Sequence, residues 1–221
     1  MAKILIYNNN SNRMEIYYRG LLEAMPYITN RTLTVNEFRS NSLSNTLWTS
    51  TKTMNSWNQF RNIYGRSIYV GFAFKRCWQG GHGNLSQHYA GTAFDVGQNL
   101  SYSERVSMRN LAANSGAWAY VEPIIETPSW VHFDARTTIS GYPNVRYGSI
   151  GNYVCTGQDA LNALGFSTGG LDGIFGINTL NAVLTFQNRN GLSVDGIIGP
   201  ITWRNLMAQA NGIGRTATVI D

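Results

Sequence analysis

The stretch Asp172-Gly173-Ile174-Phe175-Gly176-Ile177-Asn178-Thr179 recurs, shifted by 23 residues, as Asp195-Gly196-Ile197-Ile198-Gly199-Pro200-Ile201-Thr202. Each copy reads as a turn that opens a helix. The Asp side chain bonds local backbone, Gly accepts a positive φ, and Thr or Asn caps the helix that follows. Between the copies, Leu180, Val183, Leu184 and Phe186 fall at helical spacing across residues 179–190, and Gly191 can end that helix. Residues 158–164 and 203–207 read as two shorter helices. Three short helices joined by Asp-Gly turns predict a small all-α bundle over residues 152–210. This bundle has no catalytic group of its own, because its carboxylates sit in turns.

The run DGIFGINTLNAVLTFQNRNGLSVDGIIGPITWRNL within this segment resembles the peptidoglycan-binding domain carried at the ends of many cell-wall hydrolases. Both Asp-Gly turns, the Phe-Gln pair of the middle helix and the GPxTW opening of the last helix match. The resemblance implies a three-helix fold and peptidoglycan as the partner.

Upstream, residues 141–151 (GYPNVRYGSIG) read as a linker, and residues 211–221 as a tail. Residues 1–140 mix periodicities. Trp48, Met54, Trp57 and Phe60 recur at helix-like intervals across 43–61, a core-facing stripe. Residues 67–74 (SIYVGFAF) form an apolar, β-rich run, and 103–115 have helical character ending near Gly116. Residues 117–121 and 130–134 read as two further strands. Helices and strands so interspersed predict an α+β domain.

Composition narrows the function. Hydrophobic residues make up 43% of the 221 and charged residues 13%, against the balance of a disordered chain. No apolar run reaches the roughly 20 residues of a membrane span. The net charge of +5 suits an anionic partner, but the longest basic run is Lys75-Arg76, which argues against nucleic acid. The stretch MAKILIYNNN has too short an apolar run for an export signal, so the expectation is cytoplasmic synthesis with release through a membrane lesion or lysis. Cys77 and Cys155 either pair or are two buried thiols. With 3 histidines and 12 acidic residues, any metal or acid–base chemistry must come from a short roster.

Two histidines stand in suggestive company, in Ser86-Gln87-His88-Tyr89-Ala90-Gly91-Thr92-Ala93-Phe94-Asp95 and in Trp130-Val131-His132-Phe133-Asp134. Small residues at 90, 91 and 93 let backbone pass close to a site. Catalytic zinc takes three protein ligands of imidazole and carboxylate type and keeps a fourth position open, a set that His88, Asp95 and His132 would supply.

SQHYAGTAFD matches the SxHxxGxAxD signature of the M15-type zinc peptidases of the cell wall, which include D-Ala-D-Ala carboxypeptidases and phage endolysins. WVHFDAR resembles the closing ligand strand of that family, and the likeness, nearest to the M15_3-like branch, covers roughly residues 34–140. It implies an antiparallel sheet with helices, one zinc ion held by His88, Asp95 and His132, and Ser86 orienting the first loop. The chain departs from some relatives at the catalytic base. Three residues before the last ligand stands Ser129 in place of a carboxylate, and two before it stands Trp130 in place of a histidine.

The base then comes from Glu122, Glu126 or Asp134. Were 117–122 and 130–134 a hairpin with Glu122 facing Trp130, alternation would put Glu122 on the face of His132, which makes Glu122 the favoured base. Asp134 shares that face and reads as an orienting partner of the metal site. Lys75, Arg76 and Arg136 are candidate substrate or oxyanion contacts. His82 in GGHGN is either a cleft residue or part of a surface loop. The whole reads as an α+β zinc peptidase (1–140), a linker (141–151) and a three-helix domain (152–210), acting as a monomer on peptidoglycan without membrane insertion. Its rival is a wall-binding protein whose degenerate peptidase domain serves as a scaffold.

Overall fold

The computed structural model describes residues 1–139 and 141–214. Near the N-terminus, Ile4, Leu5 and Ile6 are all buried in strand β1 (Ala2–Asn8), which means that both faces of the strand are covered. β1 is the middle strand of a mixed sheet. It pairs antiparallel with β2 (Arg13–Arg19) and parallel with β3 (Thr46–Ser50), in the order β2-β1-β3. Between β2 and β3 lies the short helix α1 (Val35–Arg39), opened by a Thr34–Glu37 capping box.

The stripe expected as one helix over 43–61 is a strand followed by a helix. Trp48 belongs to β3, while Met54, Trp57 and Phe60 line the buried side of α2 (Thr51–Tyr64). Ser50 marks the change: its backbone is extended and its hydroxyl accepts from Thr53 N at 3.2 Å. Every residue of β3 is buried, so no alternation announces it as a strand.

A second, fully antiparallel sheet has the order β4-β5-β7-β6, from β4 (Val70–Phe72), β5 (Ala93–Val96), β6 (Tyr120–Val121) and β7 (Val131–Asp134). α3 (Tyr102–Asn114) connects β5 to β6 behind a Ser101–Glu104 capping box. β4 is shorter than the apolar run over 67–74 suggested, because its register to β5 shifts between Val70 and Phe72. The core between the sheets and α2 is aromatic. Trp57 packs on Phe94 at 4.7 Å and Trp118 stacks on Phe133 at 4.2 Å, centroid to centroid.

The C-terminal segment contributes α4 (Asn152–Ala163), α5 (Ile177–Arg189) and α6 (Pro200–Ala210). α4 starts six residues earlier than its sequence pattern indicated. All of its residues are buried, so it lacks the polar stripe by which an amphipathic helix is read. Thr179 and Thr202 do not cap the helices, whose N-caps are Gly176 and Gly199. They serve instead in a repeated polar lock. Gln158 Nε2 reaches Asp172 Oδ1 (2.8 Å), Ile174 O (3.1 Å) and Thr179 Oγ1 (3.1 Å), while its Oε1 accepts from Gly173 N at 2.9 Å. Gln187 repeats the set on Asp195 (2.8 Å), Ile197 O (3.0 Å), Thr202 (3.2 Å) and Gly196 N (2.9 Å). Gln187→Ala takes away the partner of the buried Gly196 N–H and Thr202 hydroxyl and is expected to cost about 1–3 kcal/mol, measured by chemical denaturation.

Residues 141–151 pair with both turns, through bridges Val145–Ile198 and Ile150–Ile174. Cys77 and Cys155 are both free and buried, in different apolar clusters. Among the described residues no helix is long and apolar enough to cross a membrane.

Candidate metal centre

Asp95 on β5 and His132 on β7 are directly paired across the antiparallel ladder, which brings their side chains together on one face. The alternate residues, Phe94 and Phe133, go to the core. His132 Nδ1 lies 2.7 Å from Asp95 Oδ1. His88 enters from the loop before β5, with Nε2 3.3 Å from Asp95 Oδ2. Potential donor atoms of the three residues lie within 4.8 Å of one another.

The donor set suits a zinc ion by its own chemistry. His88 Nδ1 is 2.6 Å from the Ala73 carbonyl, which can only accept, so Nδ1 carries the proton. In the neutral ring Nε2 then presents a lone pair to a carboxylate oxygen, and two acceptors so placed require a proton or a metal cation between them. A histidine fixed through its far nitrogen is also how metal-ligating imidazoles are commonly held.

His132 is held from both sides, its Nε2 3.4 Å from Asp134 Oδ2. Asp134 is fully buried and accepts from Arg136 N (2.9 Å) and Arg136 Nε (2.8 Å). Burial opposes ionisation of Asp95, but hydrogen bonds from His132 and His88 outweigh it and hold the carboxyl well below the usual range.

Burial also disfavours the His132 cation, yet its bonds to Asp134 and Asp95 and their charges push its pKa up to about 9. A raised folded pKa stabilises below the unfolded value near 6.5. That stabilisation is lost as pH rises from there through about 9. The metal-free protein is therefore expected to melt at falling temperatures across that window. An unchanged Tm would show that the His132 proton bridges nothing.

The centre opens into a cleft of about 470 Å³, whose walls include Ser86, Glu122, Trp130, Arg136 and His82. The hairpin register differs from the sequence expectation. Tyr120 faces Asp134, Val121 faces Phe133, and Glu122 N donates to His132 O, so Glu122 lies opposite His132 and not Trp130. The displacement is two residues, an even number, so the face is unchanged and Glu122 lines the cleft. Burial raises the Glu122 carboxyl above its ordinary value; the His132 charge lowers it and Glu126 raises it again. Glu126 lies in the exposed turn after β6.

The basic candidates separate. Arg136 lines the cleft, committed to Asp134 and stacked 4.0 Å over Tyr120. Lys75 sits 5.8 Å over the Phe72 ring and borders a different groove. Arg76 is not a cleft residue: it is fully buried, with Nε 2.7 Å from Asp159 Oδ1 of α4. The surrounding sequence gives no sign of this, because the partner is 83 positions away. His82 takes the cleft position of its two readings, its ring centroid 4.5 Å from that of His88 and its pKa pushed down to about 4, chiefly by burial.

Residues 151–206 match the family model described as "Putative peptidoglycan binding domain". The matched segment takes in α4, α5 and most of α6. Over 56 residues, 25% of its length, the chain is 50% identical to the N-acetylmuramoyl-L-alanine amidase CwlM of Mycobacterium tuberculosis. Over 67 residues, 30% of its length, the chain is 36% identical to a spore cortex-lytic enzyme of Oceanobacillus iheyensis. The chain spans 14% and 24% of the lengths of those two relatives. A crystal structure of a peptidoglycan-binding protein from Clostridioides difficile, in complex with glutamine hydroxamate, is 42% identical over 33% of this chain and 45% of that one, with a TM-score of 0.31.

Proposed function

We propose that this protein is a zinc-dependent peptidase of bacterial peptidoglycan, cutting stem or cross-bridge peptides while its C-terminal domain holds the polymer. The observation that carries this reading is the convergence of His88, Asp95 and His132 at the base of an open cleft that also contains Glu122. The family match at 151–206 and the wall-lytic relatives support the wall as its place of action. Binding through that domain raises the local concentration of peptide stems, so the cleft itself needs only modest affinity. The net charge of +5 favours a polymer bearing carboxylates and phosphates.

His88, Asp95 and His132 would hold the zinc, which when bound supplies Lewis acidity and makes a coordinated water acidic near neutral pH. The chain's own groups do the rest. A Glu122 carboxylate oxygen accepts the proton of the attacking water and passes it to the leaving amine nitrogen, work suited to a carboxyl whose pKa is raised. Asp134, anchored by Arg136, keeps the His132 ring oriented. Trp130 and Leu85 give the cleft apolar walls for the peptide.

Mass spectrometry of peptidoglycan digests tests the reading. The zinc-loaded protein is expected to release new peptide termini, and a chelator to bring product formation to background. Cleavage that survives chelation, or protein purified with no bound metal, would overturn it. Ser129, where some M15-type relatives have a carboxylate, favours a second reading, a wall-binding scaffold. Binding to sacculi with no peptide cleavage under zinc saturation would support that alternative.

A further inference from the structure

The wall-binding segment touches the metal-ligand loop through a set of buried polar contacts. Asn152 Nδ2 donates to Ala90 O at 2.8 Å, and Tyr153 OH to Gln87 Oε1 at 2.9 Å. Thr156 Oγ1 lies 3.2 Å from Tyr89 O. These three α4 residues thus reach positions 87, 89 and 90, either side of His88. From the opposite side the same loop meets β3, where Trp48 Nε1 donates to Tyr89 O at 2.9 Å and Thr49 Oγ1 to Gly91 O at 2.6 Å. The seam continues in the fully buried Arg76–Asp159 ion pair, with Cys77 N donating to Asp159 Oδ2 at 3.3 Å. A charge pair so buried is strongly destabilising to break from one side, so it ties α4 to the 3-10 turn Cys77–Gln79.

We propose that the C-terminal domain is a structural part of the metal centre: α4 clamps the His88 loop against β3, so that metal affinity depends on the wall-binding domain being docked. The inference builds on the zinc reading above but extends it, because a tether would need no contact with the ligand loop. Asn152, Tyr153 and Thr156 are positioning residues that act through the backbone and side chain of residues 87–90. By linkage, metal binding stabilises the docked domain in return.

The test uses the full chain as Asn152→Ala/Tyr153→Phe, with Tyr153→Phe as the milder variant and Gln187→Ala as a destabilising control in the same domain that touches no ligand loop. Cobalt(II) and zinc titrations are expected to show about 10–100-fold weaker affinity in the double variant, as for lost supports of metal ligands. The visible cobalt spectrum should change, and the control should bind like wild type. In metal-free protein, amide exchange of residues 86–92 is expected to quicken by about 5–10-fold in the double variant alone. Equal affinity, spectrum and exchange in wild type and double variant would overturn the clamp. Wild type that binds no metal would refute the zinc reading, and the exchange arm would then decide the clamp by itself. If Gln187→Ala loses affinity to the same degree, general destabilisation is the cause and the positioning role fails.

Discussion

Glu122→Gln in the metal-loaded protein is expected to lower turnover of peptidoglycan peptides by about 10²–10⁴-fold, the usual contribution of a positioned general base. Metal content and melting temperature should stay at their wild-type values. Glutamine keeps the shape of the side chain and its place opposite His132, but it cannot accept the proton of the attacking water. The expectation follows from three features: Glu122 lies opposite His132 just beyond the β6–β7 ladder, lines the cleft, and has a carboxyl raised by burial. Glu126→Gln, in the exposed turn, should leave turnover within a few-fold of wild type. Asp134→Asn should act differently, by loosening the hold on His132 and so weakening the metal. Rates measured with each variant at saturating zinc separate the three carboxylates. Full activity in folded, zinc-loaded Glu122→Gln would exclude it as the base.

Gly91→Ala is expected to abolish the fold of the N-terminal domain. A Cβ at this position would sit 1.9 Å from the Trp48 carbonyl oxygen, and Gly91 has φ +68°. The left-handed backbone alone costs an L-residue about 1–2 kcal/mol. The clash is with backbone of β3, which cannot move without breaking its parallel pairing to β1. Relief would require separating the His88 loop from β3 and α4, and the total approaches the 5–15 kcal/mol that a whole domain has to lose. The variant should be recovered as aggregate or melt far below wild type. Gly148→Ala is the matched control, with φ +86° and nothing within 4 Å of the added carbon, and should cost only the backbone strain. A Gly91→Ala protein with a normal melt would show that the loop does not pack on β3.

These outcomes depend on features of different legibility. The spacing of Ser86, His88, Gly91, Ala93 and Asp95 is local, so the His88 loop stands out from side-chain type and order. The face of Glu122 was also legible, because strand alternation preserves parity even though the register was displaced by two residues. Trp48 was not assignable to a strand, since a strand buried on both faces has no alternation to display. The first six residues of α4 are illegible for the same reason, the helix lacking a polar side. In the sequence Arg76 reads as a substrate contact because a developing oxyanion needs a cationic donor. Only the approach of Asp159, distant in sequence, makes its burial tolerable.

The sequence by itself determined the Asp-Gly repeat of the C-terminal segment and the set His88, Asp95 and His132 that the fold brings together. Each of these is written in short-range spacing and side-chain chemistry, which need no knowledge of distant neighbours. Only the tertiary structure decided that α4 lies against the His88 loop, that Gln158 and Gln187 lock the two Asp-Gly turns, and that Arg76 belongs to the seam between the parts. Those are contacts between residues far apart along the chain, and their energies come from burial and hydrogen bonds that exist only once the chain has folded.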